Sequence, residues 1–293
     1  MLSKSTLLHL RIPFSFFLMP VFLFALCISP NVSVESLLWS FVIIHLLLYP
    51  ASNGYNSYFD KDEKSIGGLK NPPPVKKGLY FTSIIFDIAA IILALVFISK
   101  EFAVMLLIYG LASKAYSHPS VRLKKYPISG WLTVVFFQGI FAFVMSYAGI
   151  NKFPFENLLQ FKVLFPGFLT SLMLFATYPL TQVYQHEEDA QRGDITMSLK
   201  LGVRGTFFFA MIFFAIAAGG FIIYFINTFS AFYAVVFMIT QAPVVVFFFF
   251  WFFAVWKDKT NADHKSTMRL NLMSSLCLNG FFVYLFLSSW HYI

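Results

Sequence analysis

Nine apolar runs, most of them close to twenty residues long, constrain this chain more than any other feature. They lie at roughly 9–29, 34–56, 80–99, 102–116, 129–149, 163–184, 206–226, 231–256 and 269–289. A bilayer core about 30 Å thick takes about 20 apolar residues of helix. Inside it every backbone N–H and C=O must bond within its own segment, so such runs are expected to be helices. The sequence therefore predicts an all-α, polytopic membrane bundle of about nine transmembrane helices. The fourth run is short, and is expected to tilt or to cross only part of the bilayer. Only 12% of the 293 residues are charged, against roughly 25% in a soluble domain. Once the runs are set aside, no stretch is left that would make a soluble domain, a long linker or a repeat. Residues 1–293 read as a single integral membrane domain.

Basic residues orient the bundle. With the N-terminus in the cytoplasm, Lys4 and Arg11 fall inside, as do Lys61, Lys64, Lys70, Lys76 and Lys77 of the next inner loop. Lys114, Arg122, Lys124 and Lys125 follow, then Arg192, Lys200 and Arg204, then Lys257, Lys259, Lys265 and Arg269. That places 18 of the 21 lysines and arginines on one side, with only Lys100, Lys152 and Lys162 opposite. The positive-inside rule reads this as N-in, C-out. The net charge of +8 therefore implies no nucleic-acid partner, and no protein partner is evident. Lys4 and Arg11 flank a run broken by Pro13 and Pro20 with no small-residue cleavage site, which does not read as a cleavable signal. Cys27 and Cys277 lie inside apolar runs without metal-ligand spacing and read as packed thiols.

Acidic and amide residues gather where two even-numbered helices leave the membrane on the basic side. Asn53, Asn56 and Asp60 are spaced three and four apart, so a continuing helix puts them on one face; Asp62 and Glu63 follow. Gln182, Gln185 and Asp189 repeat the pattern ahead of Gly193, which suits a helix end. Hard oxygen donors of this kind suit Mg2+, which takes one or two carboxylates and fills its remaining sites with water and phosphate. Two such faces from different helices would clamp a diphosphate through metal ions. Between them in sequence, Tyr116-Ser-His-Pro-Ser-Val-Arg122-Leu-Lys124-Lys125 offers a cationic loop for an anionic substrate. For each cluster the plainer reading is solvated or topology-setting charge. His186 fits a general base, although an interfacial histidine is more often structural. Asp87 is the one acid within an apolar run, and either pairs across the bundle or serves function directly. Apart from Asp87, polarity is expected at one end of the bundle.

These motifs resemble those of the UbiA superfamily of intramembrane prenyltransferases. Its first motif, N-D-x-x-D-x-x-x-D, is matched in part by Asn56-Ser-Tyr-Phe-Asp60, and the end of its second by Glu-Asp189-Ala-Gln-Arg-Gly193. The Tyr116–Lys124 stretch is similar to the family's diphosphate-binding loop. The resemblance implies metal contacts from Asn56, Asp60 and Asp189, joined by Asp62, Gln185 and Glu188, with Asp60 and Asp189 the catalytic pair. It implies diphosphate contacts from Lys61, Tyr116, Arg122 and Lys124. Ser57, Lys64 and Gln185 depart from the pattern by standing where the motifs carry Asp. Asp62, Glu187 or Glu188 are the replacements on offer.

The resemblance further implies Mg2+-dependent transfer of a prenyl group from an isoprenyl diphosphate to a lipophilic acceptor, an aromatic or quinone precursor, within the membrane. Such an enzyme would be multi-pass, among membrane lipids (in the plasma or inner membrane if the source is bacterial), with its active site on the cytoplasmic side. It would serve quinone or pigment biosynthesis. The alternative is a non-catalytic polytopic protein or a transporter, which would show polar residues deep in several spans or paired broken helices. A CDP-alcohol phosphotransferase would carry D-G-x-x-A-R, which is absent.

Overall fold

The computed structural model describes residues 3–289, and its regular structure is helical apart from an isolated bridge between Ile66 and Leu69. The chain begins with α1 (Lys4–Leu10), a 3-10 stretch (Ile12–Phe17) and α2 (Met19–Cys27). There follow α3 (Val34–Asp60), α4 (Gly78–Phe97), α5 (Lys100–Ser117), α6 (Pro127–Asn151) and α7 (Phe161–Thr181). The short α8 (His186–Arg192) leads into α9 (Met197–Thr228), α10 (Ala231–Lys257) and α11 (His264–Ser289).

Local chemistry sets the helix ends. Ser33, Ser99 and Thr196 each turn a hydroxyl onto an otherwise unpaired N–H at the start of α3, α5 and α9. Pro127 opens α6 where a missing N–H costs nothing. Within α3, Pro50 has no N–H to give, and the turn ahead of it widens to a π-helix over Val42–Leu48. A second π segment spans Phe136–Phe141 in α6 around Gly139.

The expected apolar runs fall mainly on helices, but the first is divided among α1, the 3-10 stretch and α2, and the sixth runs past the end of α7 at Thr181. Among the described residues seven helices are long and apolar enough to cross a membrane: α3, α4, α6, α7, α9, α10 and α11. An eighth results if Lys4–Phe17 and Met19–Cys27, bent by 42°, form one broken span. The helix on the fourth run, α5, is not among them. Its 18 residues include Lys100, Glu101 and Lys114, and Lys114 is committed to an ion pair with Asp87 of α4. Asp87 thus takes the structural half of its two expected roles.

The backbone gathers into two compact units, residues 1–124 with 141–164, and residues 125–140 with 165–293. In the first, α3 packs on α4 and α5, and α2 on the second half of α6. Asn151 closes its loop-side end, accepting from the Asn31 N–H at 2.9 Å and donating to Ser29 Oγ at 2.8 Å. In the second unit α10 lies against α9 and α11 around a core of Phe207, Phe248, Trp251 and Phe252. Polarity is not confined to one end, as the sequence suggested. His45, Ser171 and Asn279 are buried within spans. Their burial depends on packing partners distant in sequence.

Candidate active site

The last turns of α3 carry the first cluster. Asn56 and Asp60 lie in one unbroken helix, as their spacing predicts, and the helix stops at Lys61 in a left-handed conformation (φ 51°). That stop takes Asp62 and Lys64 off the helical face. Lys61 and Lys64 are exposed and Asp62 half-buried.

Around Asp60 the charge is concentrated and dry. Its side chain is 6% exposed, bonded to the Lys124 ammonium and 3.6 Å from the Arg122 guanidinium. Lys124 Nζ also donates to Asn56 Oδ1 at 3.0 Å, and Ser117 Oγ donates to the same oxygen at 2.7 Å. Two donors on one atom fix which end of the Asn56 amide faces the cluster. The Tyr116 ring lies 5.9 Å from Lys124 Nζ, within cation–π range. Arg122 is itself held in the left-handed region (φ 45°), a strained backbone of the kind found at functional sites. Arg122 and Lys124 therefore meet Asn56 and Asp60, with Tyr116 against Lys124. Ser117 was not anticipated as a participant, although it follows Tyr116 in the same motif. Lys61 sits at the helix stop rather than in this set.

The second cluster lies in the other unit. The expected continuous face through Gln182, Gln185 and Asp189 does not form, because α7 ends at Thr181 and α8 starts anew at His186. Pro179 withholds an N–H from the last turn of α7, which weakens it there. Asp189 is buried, accepting from Thr196 Oγ1 at 3.2 Å and standing 3.6 Å from the Arg192 guanidinium. Gly193 (φ 74°) closes α8, as its position suggested. Gln185 is the residue just before α8, Glu188 is half-buried and Glu187 exposed. Gln182 is buried, and its Oε1 has no hydrogen-bond partner. His186 lies 2.8 Å from Ser198 Oγ, and burial pushes its pKa down.

The donor chemistry fits a hard cation. Among the described residues no three His, Cys, Asp or Glu side chains converge, so neither unit offers a self-contained metal cage. The first instead offers the carboxylate of Asp60 and an amide oxygen, and the second the buried carboxylates of Asp189 and Asp194 and an amide oxygen. In the first, Asn56 Oδ1 and Asp60 Oδ1 already converge on one cationic nitrogen, that of Lys124. In the second, Gln182 Oε1 is a buried acceptor left unsatisfied. One or two carboxylates with the remaining sites left to substrate phosphate is how Mg2+ is usually bound.

Residues 17–276 match the profile of the UbiA prenyltransferase family. No curated protein sequence matches the chain. Among solved structures it is similar to a UbiA homologue from Archaeoglobus fulgidus bound to GPP and Mg2+, with a TM-score of 0.65 at 16% identity, covering 97% of this chain and 99% of that one. The same homologue bound to DMAPP and Mg2+ gives 0.64 at 16%, with the same coverage. A structure of digeranylgeranylglyceryl phosphate synthase gives 0.62 at 20%, covering 97% of this chain and 98% of that one. At these identities the likeness shows the fold.

Proposed function

The chain belongs to the UbiA prenyltransferase family, and on that premise we propose that it moves a prenyl group from an isoprenyl diphosphate, with Mg2+, onto a lipophilic acceptor such as an aromatic or quinone precursor. The observation that carries this is the convergence of Asn56 Oδ1 and Asp60 Oδ1 on the Lys124 ammonium. A cation already occupies the place where oxygen donors meet, and that cation belongs to a side chain suited to phosphate. Solved relatives bound to prenyl diphosphates and Mg2+ support the same reading.

In this proposal Asn56 and Asp60 hold one metal ion, with Asp62 in reach of the same helix exit. Asp189 holds the second, with Gln185 and Glu188 beside it. Bound there, Mg2+ supplies Lewis-acid stabilisation of the leaving diphosphate. Lys124 and Arg122 neutralise Asp60 in the resting chain and turn to phosphate oxygens when substrate arrives, with Lys61 adding charge at the mouth. Ser117 keeps the Asn56 oxygen aimed at the site, and the Tyr116 ring steadies Lys124. The allylic C–O bond breaks with its electron pair going to the diphosphate. The acceptor's electron pair forms the new bond, and the acceptor loses a proton. Fixed cations aimed at the departing charge lower the barrier because they need no reorganisation during the reaction.

The basic asymmetry supports an N-in, C-out arrangement, with α5 and the broken α1–α2 element completing nine crossings and both clusters on the cytoplasmic face. Membranes containing the protein, given labelled prenyl diphosphates of several lengths and extracted acceptors, should yield a prenylated product only with Mg2+. Undiminished product in EDTA would sink the proposal.

A further inference from the structure

We infer that His186 is a positioning residue: a hydrogen-bonded chain from its Nε2 through Ser198 to Thr206 docks the short α8 on α9 and so holds the Asp189 carboxylate in place for the metal ion. The inference rests on the reading of Asp189 as a metal ligand given above.

Little in α8 itself fixes where it sits. A helix of seven residues falls short of the roughly 12 needed to persist alone in water. Its sequence, His-Glu-Glu-Asp-Ala-Gln-Arg, carries no large apolar side chain, and Asp189 is its one buried residue. The acids of its first turn favour the helix through its dipole, yet they do not decide which neighbour it lies on. Gln185, just ahead of it, gives no side-chain cap. Two polar ties instead reach the start of α9.

The first tie is the chain from His186. Its Nε2 lies 2.8 Å from Ser198 Oγ, which lies 3.0 Å from Thr206 Oγ1. Thr206 Oγ1 in turn lies 2.9 Å from the Gly202 carbonyl oxygen and 3.2 Å from that of Ser198. Ser198 and Thr206 are both fully buried. Carbonyls only accept, so the Thr206 hydrogen goes to them. For the other two contacts to be hydrogen bonds, Ser198 must donate to Thr206, and the His186 Nε2–H to Ser198. The chain therefore runs one way, and it begins with a hydrogen on Nε2. Gly202, at φ 69° and ψ 167°, breaks the helix between the two hydroxyl residues.

The second tie holds Asp189 directly. Thr196 Oγ1 donates to Asp189 Oδ2 at 3.2 Å and accepts from the Leu199 N–H at 3.3 Å. His186 and Asp189 are three residues apart and so share a face of α8. Two ties on that face resist rolling, whereas the Thr196 tie alone leaves α8 free to pivot about the carboxylate that must stay aimed. A misplacement of about 1 Å in such a group can cost about 100-fold in rate.

The test uses the full chain in lipid nanodiscs and needs no acceptor. His186→Phe keeps a flat ring without the donor, Ser198→Ala removes its partner, and His186→Gln keeps an N–H at similar reach. The amides of Asp189 and Asp194 bond the Gln185 and Asp189 carbonyls at 2.9 Å. Without metal, their hydrogen exchange should be about tenfold or more faster in His186→Phe and in Ser198→Ala. Binding of a ten-carbon thiolo-diphosphate should require about 10- to 100-fold more Mg2+ in the same variants. His186→Gln should stay close to wild type on both measures. The double variant should be no worse than either single one, because both break one chain. Unchanged exchange in both single variants would overturn the docking. Faster exchange with an unchanged Mg2+ requirement would leave the chain a structural tie and overturn the positioning role. His186→Gln as impaired as His186→Phe would overturn the hydrogen-bond account. An Asp189→Asn variant with the wild-type Mg2+ requirement would remove the metal reading of Asp189, and the inference with it.

Discussion

Asp60 is a side chain at which stability and the proposed chemistry meet. Removing one member of a buried ion pair costs about 3–5 kcal/mol because the other is left uncompensated, and Asp60→Ala would strand Lys124 in that way. Loss of turnover in that variant alone would not separate folding from catalysis. Asp60→Asn combined with Lys124→Met removes both charges. Its thermal unfolding in detergent should return to within a few degrees of wild type while turnover stays at least 100-fold down; recovery of turnover along with stability would show that Asp60 is structural. His186 gives a second test at this scale. Burial lowers its pKa from 6.5 in the folded chain, so as the pH falls the unfolded chain takes up the proton first. The stability it contributes is present above about pH 6.5 and lost as the pH falls through the lowered value. Unfolding temperature should therefore decline from pH 7 to pH 5, and decline less in His186→Asn; identical profiles would remove His186 as the source. Asn56 and Asp60 were legible in the sequence because helical spacing alone puts them together. Ser117 and the unsatisfied Gln182 oxygen were not, since hydrogen-bond partners depend on how separate helices meet.

Helix periodicity carried the elements well, and helix endings carried less. The face through Asn53, Asn56 and Asp60 formed because nothing interrupts α3 before the left-handed Lys61. The matching face through Gln182 and Asp189 did not, because the chain leaves α7 at Thr181 and restarts at His186. Pattern counting sees Gln182, Gln185 and Asp189 at helical intervals, but it does not see the weakened last turn after Pro179. The π segment in α6 was also invisible, since it depends on a close approach between elements. At Gly139 the backbone (φ −93°, ψ −111°) leaves the helix, and a β-carbon built there would lie 2.7 Å from Ser171 Cα and 2.9 Å from Ser171 N. Those are backbone atoms and cannot swing aside. The contact is held by Ser171 Oγ, which donates to the Val135 carbonyl at 2.9 Å and accepts from the Ile140 N–H at 2.9 Å. Gly139→Ala should therefore destabilise the protein by about 1–3 kcal/mol, the usual cost of overpacking, lowering both unfolding temperature and membrane yield. Gly219→Ala, where a β-carbon meets nothing within 4 Å, is the matched control; equal loss in the two would point to glycine replacement itself and not to the Ser171 contact.

At the scale of the whole molecule, membrane character was legible and the internal grouping was not. Long apolar runs leave the backbone one way to satisfy itself in lipid, so composition and length suffice to read them. Which helices share a compact unit depends on side-chain fit between distant segments, and the division inside α6 and α7 leaves no trace in hydropathy. Orientation stands apart from both, because it is decided during insertion by charge. The 18 basic residues against three are a large bias, and most lie within reach of a span end, where the rule operates. That bias makes a prediction with internal checks. Reporter fusions at Lys70, Lys124, Lys200 and Lys259 should all report cytoplasm, and one at Lys152 should report the opposite side. Lys124 and Lys152 flank α6, so a single crossing there decides their difference. Lys70 and Lys124 flank α4 and α5 together, and α5 is the helix whose charged residues set it apart from the seven apolar spans. If α5 did not cross, the loop with Lys124 would lie opposite the loop with Lys70, and Arg122 and Lys124 could not reach Asp60. Yet all three residues meet in one buried cluster, which requires both loops at the same membrane face. The charge bias and the ion pairs are independent observations, and both support the proposal that α5 returns the chain to its starting side. A cytoplasmic signal at Lys70 with an external one at Lys124 would contradict both at once, and the proposed site would fail with them.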